Sequence, residues 1–291
     1  MFVSGYIFIR NAEKYDYPVS EAILSVLPLV EEMIVLVGNS DDNTLGIIQA
    51  IGSDKIKIHH SVWDDSLREG GRVFAEETRK AMALVSPKAD WVIGLQADEC
   101  LHENEYASIQ KAMTDNLKDT SIDGLLFDYL HFYGDYNFVG NSRKWYKREI
   151  RVIRNRPDIF PYKDSQGFRK GDNKKLVVKH SGAKIYHYSW VKPPAKQKAK
   201  LKFFHSRWHS DDWVDEHLGK EEEFDYSTID ALKRFEGIHP KIYAERIARY
   251  NAPVGLKEGN FIKAPLKKFL FWWESLTGWR IGEYKNYILV R

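Results

Sequence analysis

The sequence has a single cysteine among its 291 residues, and it has no long apolar run. Because Cys100 has no partner within the chain, an internal disulfide is excluded, which fits a reducing compartment. No stretch approaches the roughly 18 consecutive apolar residues of a membrane-spanning helix. The first residues also lack the basic start and the apolar core of a signal peptide. These absences predict a cytoplasmic protein that contacts a membrane at most peripherally, at its inner face.

Charged residues are abundant, but the two signs are separated along the chain. Residues 1–140 contain 11 Lys and Arg against 23 Asp and Glu, whereas residues 141–207 contain 20 against 4. A middle segment this basic either binds an anion or a membrane surface, is neutralised by the acidic part of the chain, or faces water. Apolar residues make up 43% of the chain, enough for a sizeable core.

Strand and helix patterns alternate over the first 100 residues. Apolar runs predict strands at 4–10, 32–38, 55–62 and 91–96. Apolar residues at helical spacing predict helices between them, at 19–27, 44–52 and 72–85. Strands alternating with helices predict βαβ units and a mostly parallel sheet, which is an α/β fold.

The pattern changes after residue 120. Strands are predicted at 123–134, 149–155, 175–180 and 183–190, and helices at 194–209, 226–236, 240–250 and 264–276. We therefore predict an α/β domain over residues 1–192 and a mainly helical C-terminal extension over residues 193–291, packed on that domain.

Three of the predicted strands end in polar residues. Arg10 and Asn11 follow the first strand, a turn-rich tract at 39–44 follows the second, and Gln96–Glu99 follows the fourth. Ligands of open α/β sheets bind outside the carboxyl ends of the strands. Asp98 and Glu99 suit a hard cation such as Mg²⁺ or Mn²⁺, although two carboxylates after a strand are also typical of a solvated turn. The 39–44 tract either admits a nucleotide or caps the next helix through Ser40, Asp41 or Asn43.

The order of these motifs resembles the nucleotide-sugar-binding half of family 2 glycosyltransferases of the GT-A fold, over roughly residues 4–190. Departures are clear: the second motif reads V-G-N-S-D-D-N-T, and the acidic motif is Q-A-D-E, with Gln96 in place of the first aspartate. Motifs such as "QADECLHE" and "YHYSWVKPP" also resemble a bacterial subgroup. The resemblance implies an inverting, metal-assisted transfer from a nucleoside diphosphate sugar to the hydroxyl of a glycan or glycolipid, in bacterial surface glycan synthesis.

The resemblance also implies roles for particular residues. The nucleotide sugar would contact Arg10, Asn11, Asp42, Gln96 and Asp98, and the cation would be held by Asp98, Glu99 and His187. His187 is alternatively a core histidine.

Asp164 is the candidate for the catalytic base. It is the only acid between Asp158 and Asp172, and an inverting transfer needs a carboxylate to take the proton of the attacking hydroxyl. Asp128 and Asp135 compete for the role, and an ion pair in a loop is the alternative.

Two other functions remain open from the residues. A nucleotidyltransferase shares the strand-end nucleotide site, but the tract after the first strand has no glycine-rich loop. A non-catalytic nucleic-acid or anion binder would use the basic segment 141–207. The acidic N-terminal part argues against nucleic acid.

Segment 261–279 is basic, aromatic and amphipathic, so it either packs on the domain, which we favour, or lies on an anionic membrane. We expect part of the basic segment 141–207 to meet an anionic acceptor at such a membrane.

Overall fold

The structure, a computed structural model, describes residues 1–250 and 255–290. The strands are β1 (Val3–Ile9), β2 (Glu32–Val37), β3 (Ile56–His60), β4 (Trp91–Gly94), β5 (Glu99–Leu101), β6 (Gly124–Tyr133), β7 (Asp135–Gly140), β8 (Arg148–Arg154), β9 (Ile159–Tyr162), β10 (Gly167–Lys170), β11 (Lys174–Trp190), β12 (Ala231–Arg234), β13 (Gly259–Asn260) and β14 (Tyr287–Leu289). The α-helices are α1 (Val19–Val26), α2 (Thr44–Gln49), α3 (Arg72–Ala83), α4 (Tyr106–Asp115), α5 (Pro194–His205), α6 (Asp211–Leu218), α7 (Ala244–Arg249) and α8 (Pro265–Thr277).

The first four strands form a parallel unit in the order β3-β2-β1-β4. β1 and β2 read as nearly continuous apolar runs and are almost wholly buried, as expected of parallel strands covered on both faces. The path continues from β4 through β8, β6, β7, β12 and β13 by antiparallel ladders. The parallel unit brings the polar ends of β1, β2 and β4 to one edge of the sheet.

Helices cover both faces of the parallel unit. On one face, Ile23 of α1 belongs to the same buried cluster as Ile7 of β1. On the other face, Ala81 of α3 belongs to a cluster with Tyr6 of β1. Adjacent residues of β1 therefore point to opposite layers, as the two-residue period of a strand requires.

The long strand β11 determines where the late histidine lies. β11 runs parallel to β6, which places His187 beside His131. It also pairs antiparallel with the short strand β5, which places His187 opposite Glu99. One strand thus joins the residues after β4 to the middle of the chain.

The predicted fold class, an α/β domain with flanking helices and a mainly helical C-terminal extension, is confirmed. The strands predicted at 175–180 and 183–190 are one strand, β11, whose pairing with β6 shifts register between His180 and Lys184. The division at residues 192 and 193 stays a prediction, and strands β12 and β14 of the extension join the sheet through β7 and β11.

One predicted helix is wrong. Residues 226–236 form a 3₁₀ turn, Tyr226–Thr228, followed by strand β12. Leu232 packs with Tyr133, Phe138 and Tyr226 in an aromatic cluster, and pairing with the edge of β7 satisfies the backbone there. Tertiary contacts therefore override the local pattern.

Half of the cations in the basic middle segment are paired with acids inside the molecule. Ten of the segment's twenty cations form ion pairs, mostly with acids outside the segment: Arg143, Lys144, Lys147, Arg148, Arg151, Arg156, Lys170, Lys198, Lys200 and Arg207. For these ten cations, the structure supports the alternative in which the segment is paired with acids elsewhere in the chain.

Candidate functional site

A cavity of about 680 Å³ opens at the carboxyl ends of β1 and β4, where strand-end ligand sites are expected. Arg10, Gln96, Asp98, Asp164 and His187 all line it. Residues from four parts of the chain, far apart in sequence, therefore meet at one place. Aromatic side chains from α5 and from the segment after β7 complete the wall: Trp145, Tyr146, Phe203 and Phe204.

Asp98 is buried and paired with a lysine that lies about a hundred residues later. Its Oδ2 accepts a hydrogen bond from Lys200 Nζ at 2.9 Å, and both side chains are 9% exposed. Burial alone would raise the pKa of Asp98, but the charge of Lys200 and the neighbouring His187 outweigh it. The pKa of Asp98 therefore lies well below its usual value, and the group is a carboxylate at neutral pH.

The other oxygen of Asp98 faces a histidine whose tautomer is set by its neighbours. His131 Nε2 lies 2.8 Å from the carbonyl oxygen of Tyr146, which only accepts, so His131 carries its proton on Nε2. His131 Nδ1 must then accept from His187 Nδ1–H at 2.8 Å. Burial is the largest cause that lowers the pKa of His131, to about 3, which keeps that ring neutral. In the neutral ring of His187, Nε2 then carries a lone pair, and it lies 3.7 Å from Asp98 Oδ1.

This arrangement fits a hard divalent cation. Asp98 Oδ1 and His187 Nε2 offer two adjacent ligand atoms, and the other nitrogen of His187 is held by an outer partner, as is usual for a metal-binding histidine. Mg²⁺ and Mn²⁺ sites often need only one or two protein ligands when phosphates and waters complete the shell. Within residues 1–250 and 255–290, no cluster of three or more His, Cys, Asp or Glu forms a self-sufficient metal site.

Glu99 does not belong to this ligand set, so the expectation that it binds the cation requires correction. Its carboxylate is fully buried and accepts two hydrogen bonds from Arg151, each at 2.7 Å, and one from the Tyr129 hydroxyl at 2.8 Å. A bidentate arginine pair of this kind uses both carboxylate oxygens. Through Arg151 and Tyr129, Glu99 thus anchors the loop after β4.

Asp164 lies in the cavity wall on a tight turn between β9 and β10. The flanking residues Lys163 and Ser165 have left-handed backbone angles, with φ of 54° and 71°. Gly71 lets the turn approach, because a Cβ at that position would lie 2.9 Å from the Asp164 Cβ. Asp164 Oδ1 is buried and has no hydrogen-bond partner within the part of the chain that the structure describes, and burial raises the pKa of Asp164.

The two competing aspartates are engaged elsewhere. Asp128 pairs with Arg148 at 2.7 Å and with His180 at 3.2 Å, and Asp135 accepts from the backbone N–H of Asn137. Among the described residues, neither aspartate lines the cavity.

A second carboxyl in the cavity wall, Glu149, lies at the start of β8. Its Oε2 is buried without a partner among the described residues. Burial is the largest cause that raises the pKa of Glu149, to about 8; Arg151 opposes it, and the carboxylates of Glu99 and Asp164 reinforce it. Buried carboxyls with raised pKa values are frequent at catalytic sites.

Two of the predicted nucleotide contacts lie outside the cavity. Asn11 has φ of 59°, and its Oδ1 accepts from the backbone N–H of Asp41 at 2.9 Å. Asp42 accepts from the backbone N–H of Lys14 at 2.7 Å and of Thr44 at 3.0 Å. Both side chains brace the turns after β1 and β2, so the structure favours the turn and cap interpretation of the 39–44 tract over nucleotide contact.

Sequence reasoning did not identify Lys200, His131 or Glu149 as site residues. Lys200 lies in a lysine-rich helix where nothing local distinguishes it from Lys196 or Lys198. His131 carried a weak signal, because it is a polar residue in the otherwise apolar run "LLFDYLHFY".

Comparison with known proteins gives a limited result. No family model matches the chain, and no curated protein matches it. Among solved structures, S. aureus TarS (residues 1–349) aligns with a TM-score of 0.39 and 11% identity, over 75% of this chain and 69% of that one. Glucosyl-3-phosphoglycerate synthase from Mycobacterium tuberculosis, solved with Mn²⁺, UDP and phosphoglyceric acid, aligns with a TM-score of 0.30 and 19% identity.

The alignment with the synthase spans 45% of this chain and 43% of the synthase, less than half of either protein. The same synthase has also been solved with Mg²⁺ and UDP. With both TM-scores below 0.5, these likenesses are too limited to assign a site or an activity to this chain.

Proposed function

We propose that this chain is a glycosyltransferase of the GT-A type, which moves a sugar from a nucleoside diphosphate sugar to a hydroxyl group of a glycan or glycolipid. The observation that carries the proposal is the cavity, in which a carboxylate–histidine pair suited to a cation and a lysine lie in the same wall as an unpaired carboxyl group. Such a site can neutralise a diphosphate on one side and accept a proton on the other. The resemblance to bacterial family 2 sequences makes surface glycan synthesis part of the proposal.

Each residue has a distinct part in the proposed reaction. Asp98 and His187 would hold Mg²⁺ or Mn²⁺, which when bound supplies positive charge to the diphosphate leaving group. Lys200 orients Asp98 and adds a further positive charge, and Arg10 and Gln96 contribute polar groups at the same edge of the sheet. Asp164 takes the proton of the acceptor hydroxyl as that oxygen attacks the anomeric carbon and the bond to the diphosphate breaks, with inversion.

The proposal is tested by following release of nucleoside diphosphate across a panel of nucleotide sugars, with Mn²⁺ or with EDTA. Release that needs an acceptor and one particular donor supports a glycosyltransferase. Release of pyrophosphate from a nucleoside triphosphate would instead establish a nucleotidyltransferase. Activity with neither class of donor would overturn both the glycosyltransferase and the nucleotidyltransferase hypotheses.

Asp98→Asn is the first variant to measure. The amide keeps the shape but removes the negative charge, so we expect nucleoside diphosphate binding to weaken about tenfold or more in Mn²⁺ and much less in EDTA. Isothermal titration in the two buffers gives both affinities. Asp41→Asn is the matched control, since Asp41 is an exposed carboxylate paired only with the Lys14 side chain. Equal losses in both buffers would exclude a metal role for Asp98.

A further inference from the structure

The outer face of α8 carries a cluster of exposed apolar side chains. Leu266, Phe269, Trp272 and Leu276 are each between 51% and 69% exposed. Their spacing of three and four residues places them on one side of the helix. Phe261 and Trp279, just before and just after the helix, are exposed as well. Contiguous exposed apolar surface of this kind marks an interaction site.

This face belongs to a helix that is fixed to the domain. On the inner side, Glu274 is 11% exposed and pairs with Arg143 at 2.9 Å, Lys147 at 2.6 Å and Arg280 at 2.9 Å. No residue of α8 is buried, so packing covers only part of the helix. The sequence expectation that 261–279 packs on the domain therefore holds for the inner side alone.

The charges at the start of α8 have one sign. Lys263, Lys267 and Lys268 are all exposed, and residues 261–273 contain no Asp or Glu. The nearest acid, Glu274, points inward. Lysines beside Trp, Phe and Leu on one helix are the composition of helices that lie in the interface of a bilayer with anionic lipids.

The helix also lies at the rim of the cavity. Arg143 and Lys147, which hold Glu274, line the cavity, and so do Arg280 and Tyr284, which follow α8. One carboxylate, Glu274, pairs with three cations there, Arg143, Lys147 and Arg280. A surface bound by the outer face of α8 would thus lie next to the cavity opening.

We propose that the outer face of α8 is a docking surface for an anionic lipid bilayer. No helix within residues 1–250 and 255–290 combines the length and the apolarity needed to cross a bilayer, so the contact is peripheral. Phe269, Trp272 and the two leucines enter the interface, and the three lysines contact lipid phosphates. The docking does not depend on the proposed transferase activity, so it can fail or succeed separately.

The test is flotation of the full chain with phosphatidylcholine vesicles, with and without phosphatidylglycerol at about one lipid in three. We expect binding to the anionic vesicles at low salt and a partial loss at high salt. Lys263→Gln/Lys267→Gln/Lys268→Gln should remove the salt-sensitive part of the binding, with vesicle affinity falling about fivefold per lysine. Leu266→Ser/Leu276→Ser should remove the part of the binding that persists at high salt, with vesicle affinity falling tenfold or more.

The matched control is Val62→Ser/Ile238→Ser. These side chains are 75% and 73% exposed, against 69% for each leucine of α8, so the control removes equally exposed apolar groups from elsewhere on the surface. It should float like the wild type. Hydrogen exchange on the wild type supplies a test without any substitution, because residues 265–279 should gain protection when anionic vesicles are added.

Three results would overturn the proposal. One is a wild type that stays off anionic vesicles at low salt. Another is a Leu266→Ser/Leu276→Ser variant that floats like the control. The third is sedimentation velocity that shows a dimer of the wild type and a monomer of that variant, because a second copy of the chain would then cover the face.

Discussion

The buried carboxylate of Asp98 lies against two neighbours, one at each oxygen. Oδ2 accepts a hydrogen bond from Lys200 Nζ, and Oδ1 lies 3.7 Å from His187 Nε2. With a neutral His187, a nitrogen lone pair and a carboxylate oxygen lie side by side, and a bound cation stabilises such a pair. This donor pair therefore suits a cation on electrostatic grounds that do not depend on any likeness to other proteins.

His131 should act as a positioning residue for His187. In His131→Phe a ring of similar shape remains, but the acceptor for His187 Nδ1–H is lost. We expect Mn²⁺ affinity in the presence of nucleoside diphosphate to fall about 10–100-fold, as is typical for the loss of an outer partner of a metal ligand. Electron paramagnetic resonance of free Mn²⁺ measures this directly. His60→Phe, on exposed β3, is the control, and an unchanged affinity in His131→Phe would show that the histidine pair is structural.

Glu149 should make the stability of the protein depend on pH. The folded-state pKa of Glu149 is about 8, above its ordinary value of 4.5. The protonated carboxyl therefore contributes its full stabilisation below about pH 4.5, and this contribution is lost as the pH rises to about 8. Glu149→Gln stays neutral, and we expect it to gain stability relative to the wild type over this range. Urea unfolding near both ends of the range measures the difference.

Glu76→Gln is the control for that experiment, because the hydrogen bond from Arg79 lowers the pKa of Glu76. That substitution should give no gain as pH rises. A gain in both variants, or in neither, would show that Glu149 is solvated in the folded protein.

At the scale of elements, the turns after β1 and β2 support each other. Asn11 bonds the tract after β2, and Asp42 bonds the tract after β1. The backbone N–H of Thr44, the first residue of α2, donates to the Asp42 carboxylate, because N–H groups at a helix start have no partner within the helix. The side chains of Asn11 and Asp42 thus stabilise the turns at the edge of the site, but they do not line the cavity.

Asp42→Ala should therefore lower stability and leave the donor KM nearly unchanged. The loss of a capping carboxylate costs about 0.5–2 kcal/mol, which thermal unfolding detects. Asp41→Ala is the control, since the Asp41 side chain is exposed and pairs with Lys14. If instead the KM rises and the melting temperature stays constant, Asp42 contacts the nucleotide, as the sequence resemblance implies.

At the scale of the molecule, the opposite charges of two halves of the chain meet in the folded state. The acidic N-terminal part supplies Asp65, Asp98, Glu99, Asp123 and Asp128 to cations of the basic segment. Few of these pairs are fully exposed, and that between Arg151 and Glu99 is buried. The net charge of a segment therefore says little about the charge that a partner would meet.

The lysines of α5 illustrate this, since Lys198 and Lys200 are buried whereas Lys196 lies at the surface. Lys200→Glu would place a second carboxylate against Asp98, and breaking a buried pair costs about 3–5 kcal/mol. We expect a large fall in the free energy of unfolding, measured in urea. Lys202→Glu on the same helix is the control and should change it little. A small effect in Lys200→Glu would mean that Asp98 and Lys200 are hydrated.

Much of the framework was predictable from the sequence alone. Apolar runs of four to seven residues determined β1, β2 and β4, and helical spacing determined α1 and α3, because period and burial are local properties. The α/β class follows from their alternation, and the position of Asp98 at a strand end follows from the run before it.

Only the tertiary structure decided which polar groups work together. It assigned Glu99 to Arg151, Lys200 to Asp98 and His131 to His187, across separations of 52, 102 and 56 residues. Such pairings depend on strand register and on helix placement, which no local pattern contains. For the same reason the sequence showed an amphipathic α8, and the fold determined which of its faces remains open.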